Sequence, residues 1–321
     1  MKKNVAVLMG GYSSEYNISL KSGEVVYNTL LKEDDINLFK VIISENEWKC
    51  VDSKDSLLEI KKDSFQFIRN NNLINVDLVF NTIHGIPGEN GEIQSYFENL
   101  NIKQTSSESS ESKLTFDKNR CKNDVKKIGH LIPNSILVKK EEDINTYNIL
   151  NKLTLPLFIK PNSGGSSFGI SRVTEKKDII KELEICFKED DKALIEEEIK
   201  GREISVGIIN LKGTITPLPP TEIISHNDFF DYDAKYNGES DEITPADIKI
   251  ELENRVKEIS LDIYKKLNLK GFSRCDFILR DNKFYFLEVN TNPGLTEESI
   301  LPQMAKAGGI SLTDLFRSVI D

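Results

Sequence analysis

The stretch GFSRCDFILRDNKFYFLEVNTNPG, residues 271 to 294, constrains this chain more than any other. Two runs rich in aromatic and branched apolar residues flank a short polar centre, the pattern of two antiparallel strands joined by a turn. Successive side chains of a strand point to opposite faces. Arg274 and Asp276 therefore share one face of the first strand, and Glu288 and Asn290 share one face of the second. Whether the two faces coincide depends on the turn. A three-residue turn, Asp281 to Lys283, sets Asp276 opposite Glu288 and Arg274 opposite Asn290, whereas a turn of two or four residues puts them out of register. In the matched register the carboxylates stand about 5 Å apart at Cβ, where they repel unless a cation lies between them. Two carboxylates and an amide oxygen are hard donors that suit Mg²⁺. The plainer reading is a solvent-facing strand pair neutralised by Arg274, and the residues alone leave both open.

The first hundred residues carry a different rhythm. The apolar runs NVAVLM (4–9) and VDLVFNTI (76–83) each end in a loop, at Gly10-Gly11 and at His84-Gly85, as buried parallel strands do. Val25, Val26, Leu30 and Leu31 recur at helical spacing between them, and FKVIIS (39–44) reads as a further strand. Strand, helix, strand predicts an α/β unit with a doubly wound parallel sheet over residues 1–104. TSSESSESK (105–113) reads as a low-complexity linker and places a domain boundary, followed by a polar helical segment from Phe116 to Gly129. ILVKK, LPLFIK, GISRVT, ALIEEEI and EISVGIIN are expected as short strands of a mixed sheet, with a helix over 176–188. Residues 225–245 keep no period and suit a loop that closes over a site. Leu252, Val256, Ile259, Ile263 and Leu267 mark one face of an amphipathic helix.

With 321 residues the chain is long enough for two or three domains, and its formal charge of -10 opposes nucleic acid and anionic membrane over most of the surface. Four scattered cysteines form no CxxC pair, so reduced thiols in the cytoplasm are expected rather than zinc or disulfides. The apolar run near the N-terminus is too short for a signal-peptide core, and no segment approaches the length of a membrane span. Only three histidines are present, which turns any metal site toward carboxylate and amide oxygens.

Single motifs are ambiguous. KPNSGGSSFG (160–169) offers backbone N–H groups to an anion, yet lacks both the GK[ST] ending of a P-loop and the GxGxxG spacing of a dinucleotide fold. GGYSSE (10–15) fits an anion-binding loop, but a glycine pair after a strand is more often a tight turn. His84 suits a donor to a substrate carboxylate, although a lone histidine in a turn is more often structural. Lys118, Lys160 and Lys235 suit phosphate contacts, in a chain where most lysines serve the surface. Ser166 has no adjacent base and no GxSxG elbow, which argues against a nucleophile. The residues themselves reach a nucleotide and magnesium enzyme with its substrate open.

Assembled, the chain resembles the D-alanine:D-alanine ligase family of the ATP-grasp superfamily from end to end. The motifs that carry the resemblance are GGYSSEYNISLKSG, IHGIPGENGEIQSYFE, KPNSGGSSFGIS, IEEEIKGREISV, FDYDAKY, GFSRCDF and LEVNTNPGLTEESILP, in the family's order and spacing. The resemblance implies an N-terminal α/β domain (1–104) followed by two α+β domains (105–205 and 206–321) that sandwich ATP. It implies phosphoryl transfer from ATP to one D-alanine and attack on the acylphosphate by the amine of a second, for peptidoglycan precursors. Relatives that instead take D-serine or D-lactate as second substrate are the alternative.

The resemblance also implies roles. Asp276, Glu288 and Asn290 match the metal positions, for Mg²⁺ or Mn²⁺ and two ions. Arg274 matches the arginine that stabilises the tetrahedral oxyanion. Lys118, Lys160 and Lys235 would contact phosphates, with Gly164, Gly165 and Ser167 in the loop folded over them. Glu196 would take the adenine amino group and Glu203 the ribose hydroxyls. Glu15 would pair with the ammonium of the first D-alanine, near His84, and Ser166 and Tyr236 would join Glu15 in a hydrogen-bonded latch. Gly294, Ser299 and Ile300 match the pocket of the second D-alanine. Family members are commonly dimeric, which leaves a homodimer open. Two departures stand out: SSESSESKLTF before Asp117 and Lys118, and Glu297 and Glu298 beside the second-substrate pocket.

Overall fold

A computed structural model describes residues 2–165, 169–225 and 240–321. The first sheet contains β1 (Lys3–Gly10), β2 (Ile36–Ile43), β3 (Trp48–Asp52), β4 (Leu57–Lys61), β5 (Gln66–Arg69), β6 (Asn72–Ile74), β7 (Leu78–Asn81) and β8 (Lys103–Gln104), in the order β6-β5-β4-β3-β2-β1-β7-β8. The pairs β1–β2, β1–β7 and β7–β8 are parallel, as the buried runs at 4–9 and 76–83 require. Strands β3 to β6 add an antiparallel extension that the sequence reading did not anticipate. They are short and expose many side chains, so they carry little hydrophobic signal. Their last hairpin turns on Asn70 and Asn71, with φ of 50° and 63°, a conformation that asparagine tolerates better than most residues.

Helix α1 (Tyr16–Leu30) lies against this sheet and α2 (Glu92–Asn99) follows the His84 loop. Gly23 permits the close approach of α1, because a Cβ there would stand 2.6 Å from the Cβ of Met9.

The serine-rich stretch at 105–113 is not a linker. Ser106, Ser107 and Ser112 are buried and α3 spans Ser109–Phe116. Ser107 Oγ donates to the Lys270 carbonyl and accepts the Lys270 N–H, both at 3.0 Å, so its hydroxyl clasps backbone where a linker would meet water. The expected helix over 116–129 begins anew at α4 (Lys118–Lys127), because extended Asp117 breaks the run and caps it by accepting the Arg120 N–H at 2.9 Å.

The strands that follow divide between two antiparallel sheets in place of one mixed sheet. The four-stranded sheet holds β9 (Ser135–Lys139), β10 (Leu157–Pro161), β11 (Ser171–Val173) and β12 (Lys192–Glu197), with α5 (Thr146–Leu150) and α6 (Ile179–Cys186). The six-stranded sheet holds β13 (Arg202–Leu211), β14 (Thr214–Pro217), β15 (Thr221–Ser225), β16 (Ser240–Ile243), β17 (Ser273–Arg280) and β18 (Lys283–Asn290). Helices α7 (Ile250–Lys266), α8 (Ile300–Ala307) and α9 (Leu312–Arg317) complete the described elements.

Two cores position the site. Val5, Val7, Met9 and Phe80 of the first sheet share a cluster with Leu301, Met304 and Phe316, which welds the N-terminal unit to the C-terminal helices. The four-stranded sheet keeps a separate cluster around Leu157, Ile159, Ile179 and Leu183. Among the described residues no helix is long and apolar enough to cross a membrane.

Candidate active site

The turn between β17 and β18 has two residues, Asp281 and Asn282, with φ of 50° and 59°, where the matched register was expected to need three. A bulge restores the match. Phe277 pairs with Phe286 and Asp276 with Glu288, so Leu287 is the extra residue and Arg274 still faces Asn290. The bulge supplies the offset that the turn lacks.

Asp276 is buried and receives Arg274 in bidentate fashion, Nε to Oδ1 at 2.9 Å and Nη2 to Oδ2 at 2.8 Å. Ser205 Oγ from β13 donates to the same carboxylate at 2.5 Å. Asn290 Oδ1 accepts the Asn292 N–H at 2.8 Å. Among the described residues no group of three His, Cys, Asp or Glu side chains is arranged to hold a metal. Two facing carboxylates and an amide oxygen nevertheless fit Mg²⁺, an ion that takes few protein carboxylates and completes its shell with phosphate oxygens and water.

A cavity of about 410 Å³ opens beside this strand pair, lined by Arg274, Glu288 and Asn290. Glu15 enters it from the start of α1. A Cβ on Gly165 would meet Glu15 Oε2 at 2.8 Å, and one on Gly85 at 2.9 Å, so the glycine loop and the histidine loop both approach its carboxylate. His84 is buried; Nδ1 donates to the Asn292 carbonyl at 3.1 Å and Nε2 lies 3.0 Å from Ser22 Oγ. Burial works against its charged form, yet Glu89 and Glu15 hold its pKa above the ordinary value. Lys118 begins α4 and donates from Nζ to the Gly164 carbonyl at 2.6 Å. Gly294 and Ser299 meet at the far wall, where a Cβ on Gly294 would stand 2.8 Å from Ser299 Oγ. Ser299 precedes α8, and Ile300 opens it. Of the two neighbouring acids, Glu298 lines the cavity and Glu297 does not.

Lys160, Glu196, Glu203 and Asp276 stand outside the lining of this cavity. Lys160 and Glu196 meet on the four-stranded sheet, with Lys160 Nζ 2.5 Å from Glu196 Oε2. Lys122, which the sequence reading missed, pairs with Glu196 Oε1 from α4. Burial would raise the Glu196 pKa, but the two lysines hold it below the ordinary value. The signal for Lys122 was its place one helical turn after Lys118. Glu203 sits on β13 opposite Ile278 and Ile223. Glu89 and Glu242 also face the cavity unforeseen; Gln303 Nε2 donates to Glu242 at 2.8 Å, and burial pushes that carboxyl up. Ser166, Ser167, Lys235 and Tyr236 lie outside the described residues, as does most of the expected loop at 225–245.

Three sheets, with a cavity walled by Lys118, the glycine loop and Glu288, the member of the facing carboxylate pair that reaches it, form an ATP-grasp enzyme. The chain belongs to the D-Ala D-Ala ligase family, whose N-terminal model matches residues 4–107 and whose C-terminal model matches residues 125–321. Among its relatives is the D-alanine--D-alanine ligase of Flavobacterium johnsoniae, 49% identical over 99% of this chain and 98% of that one. The enzyme of the same name from Christiangramia forsetii is 46% identical over 100% and 98%. The crystal structure of the VanG D-Ala:D-Ser ligase from Enterococcus faecalis superposes with a TM-score of 0.89 at 32% identity, covering 100% of this chain and 99% of that one. The Bacillus anthracis D-alanine--D-alanine ligase complexed with ATP gives 0.77 at 31%, over 99% and 96%.

Proposed function

We propose that the chain is an ADP-forming ligase that joins two D-alanines into D-alanyl-D-alanine for peptidoglycan synthesis. The observation that carries this reading is the single cavity to which Glu15, His84, Lys118, Arg274, Glu288 and Ser299 converge from separate elements. D-Alanine is favoured over D-serine as second substrate by the names of the full-length relatives.

In this reading the first D-alanine places its ammonium on Glu15 and its carboxylate near His84. That carboxylate attacks the γ-phosphorus of ATP, the bond to the bridging oxygen breaks, and ADP departs. The amine of the second D-alanine then attacks the acyl carbon, its proton is lost, and phosphate leaves. Each stage gathers negative charge, so fixed cations supply the stabilisation. Lys118, Lys160 and Lys235 serve the phosphates under Gly164, Gly165 and Ser167, while Glu196 and Glu203 take adenine and ribose. Arg274, held by Asp276 through Nε and Nη2, would turn its Nη1 edge to the tetrahedral oxyanion. Gly294, Ser299 and Ile300 seat the second D-alanine, and Ser166 and Tyr236 join Glu15 in the latch. Asp276, Glu288 and Asn290 would hold two Mg²⁺ or Mn²⁺ ions, which neutralise phosphate charge when bound.

The three units are taken as 1–104, 105–205 and 206–321, in a cytoplasmic protein that acts on small molecules, with a homodimer left open. A competition assay offering D-alanine, D-serine and D-lactate with Mg²⁺ and ATP tests the reading. D-alanyl-D-alanine should dominate, and preferential formation of either mixed product would contradict it.

A further inference from the structure

Glu196 meets two ammonium groups, one at each carboxylate oxygen. Phe158 stands directly opposite Glu196 in the β10–β12 ladder, and Lys160 follows two residues on, which puts Lys160 and Glu196 diagonally on one face. Lys122 reaches the same carboxylate from α4. That helix is itself fixed to the loop after β10, since the Lys118 N–H donates to the Asn162 carbonyl at 2.9 Å and the Asn119 N–H to Asn162 Oδ1 at 3.0 Å.

The two lysines are not equivalent. The side chain of Lys122 is 1% exposed and that of Lys160 is 10% exposed. The two ammoniums share the one carboxylate they touch, with the charge of Glu288 acting on both from beyond contact, and a triphosphate would draw on the more accessible of the two. Were Lys160 the sole partner, its departure would leave Glu196 buried and uncompensated, an arrangement proteins avoid.

We infer that Lys122 is the resident counter-ion of Glu196, a positioning residue that holds this carboxylate toward the adenine amino group while Lys160 turns to phosphate. The assignment rests on the proposed contact between Glu196 and adenine. It predicts base selectivity, because inosine triphosphate carries an acceptor oxygen where ATP carries the amino donor. A site built to accept that hydrogen bond rejects the analogue lacking it.

Steady-state kinetics with ATP and with inosine triphosphate, on wild type and on the Lys122→Met, Lys122→Gln and Lys122→Arg variants, test it. Thermal melts accompany each variant, and Lys122→Gln stands in should Lys122→Met fail to fold. The wild type should prefer ATP by at least about tenfold in kcat/KM. That preference should collapse in the Met and Gln variants through KM for ATP and return in the Arg variant. A wild type indifferent to the base would remove the adenine contact on which the inference rests. A wild-type preference that survives in either neutral variant, or that Lys122→Arg fails to restore, would overturn the role of Lys122 itself.

Discussion

Asp276 faces Glu288 across β17 and β18 because Leu287 bulges out of the ladder between them. The two carboxylates share a face but not an environment. Asp276 already answers Arg274 and Ser205, whereas Glu288 borders the cavity. Asp276→Asn and Glu288→Gln should each lower kcat by about 10³-fold, the scale of removing one electrostatic stabiliser. Their melts should differ: Asp276→Asn takes from half-buried Arg274 the carboxylate it grips and should cost about 2–4 kcal/mol, and Glu288→Gln under about 1 kcal/mol. Equal stability losses in chemical denaturation would refute this division.

Gly165 approaches Glu15 so closely that a methyl group would stand 2.8 Å from Oε2. Gly165→Ala should push the glycine loop away from Glu15 and raise KM for D-alanine about tenfold, roughly 1.4 kcal/mol of binding. Its melting temperature should stay near that of the wild type, since the clash is with a side chain at a cavity wall. An unchanged KM would show that the loop does not close on Glu15.

Arg317 of α9 donates to Asp35 at 2.9 and 2.8 Å and to Glu33 at 2.9 Å, tying the C-terminal helix to the first domain. The hydrogen bond from Arg317 holds the Asp35 pKa down to about 2, from an ordinary 3.8. A depressed carboxylate contributes stability that is present above its unfolded pKa and lost as pH falls through the folded one. Asp35 is exposed while Arg317 is half-buried, so solvent screening limits the pair to under about 1 kcal/mol. Urea titrations of Arg317→Met should show a small deficit near neutral pH that shrinks between about pH 4 and pH 2. A deficit constant over that range would remove Asp35 from the account.

All four cysteines are free and buried. Burial pushes the thiols of Cys50, Cys121 and Cys186 up to about 12, and that of Cys275 well above its ordinary value. The thiolate is the nucleophile, so the folded protein should resist alkylation near pH 8 and react at four positions once unfolded. Rapid labelling of the native protein would contradict the packing around them.

Elements with strong periodicity were legible in the sequence. The runs at 4–9 and 76–83 became parallel strands, and Leu252 to Leu267 marked α7. Short or polar elements were not. The extension β3–β6 exposes too many side chains to show a hydrophobic pattern, and the serines at 105–113 looked like a linker because clasping backbone leaves no trace in composition. The facing carboxylates were anticipated through the wrong device, since a three-residue turn and a two-residue turn with a bulge give the same offset. Lys122 escaped because its place one turn after Lys118 names a helix face but no partner, and the fold is what brings it to Glu196.

ATP-driven ligation of D-alanine is the activity expected at the cavity beside β17 and β18. Phosphate release with Mg²⁺ and ATP, measured with D-alanine, with L-alanine and with no amino acid, tests it most directly. Release should depend on D-alanine and match D-alanyl-D-alanine formed, one for one. Background release with D-alanine in a well-folded sample, or equal release with L-alanine, would contradict it.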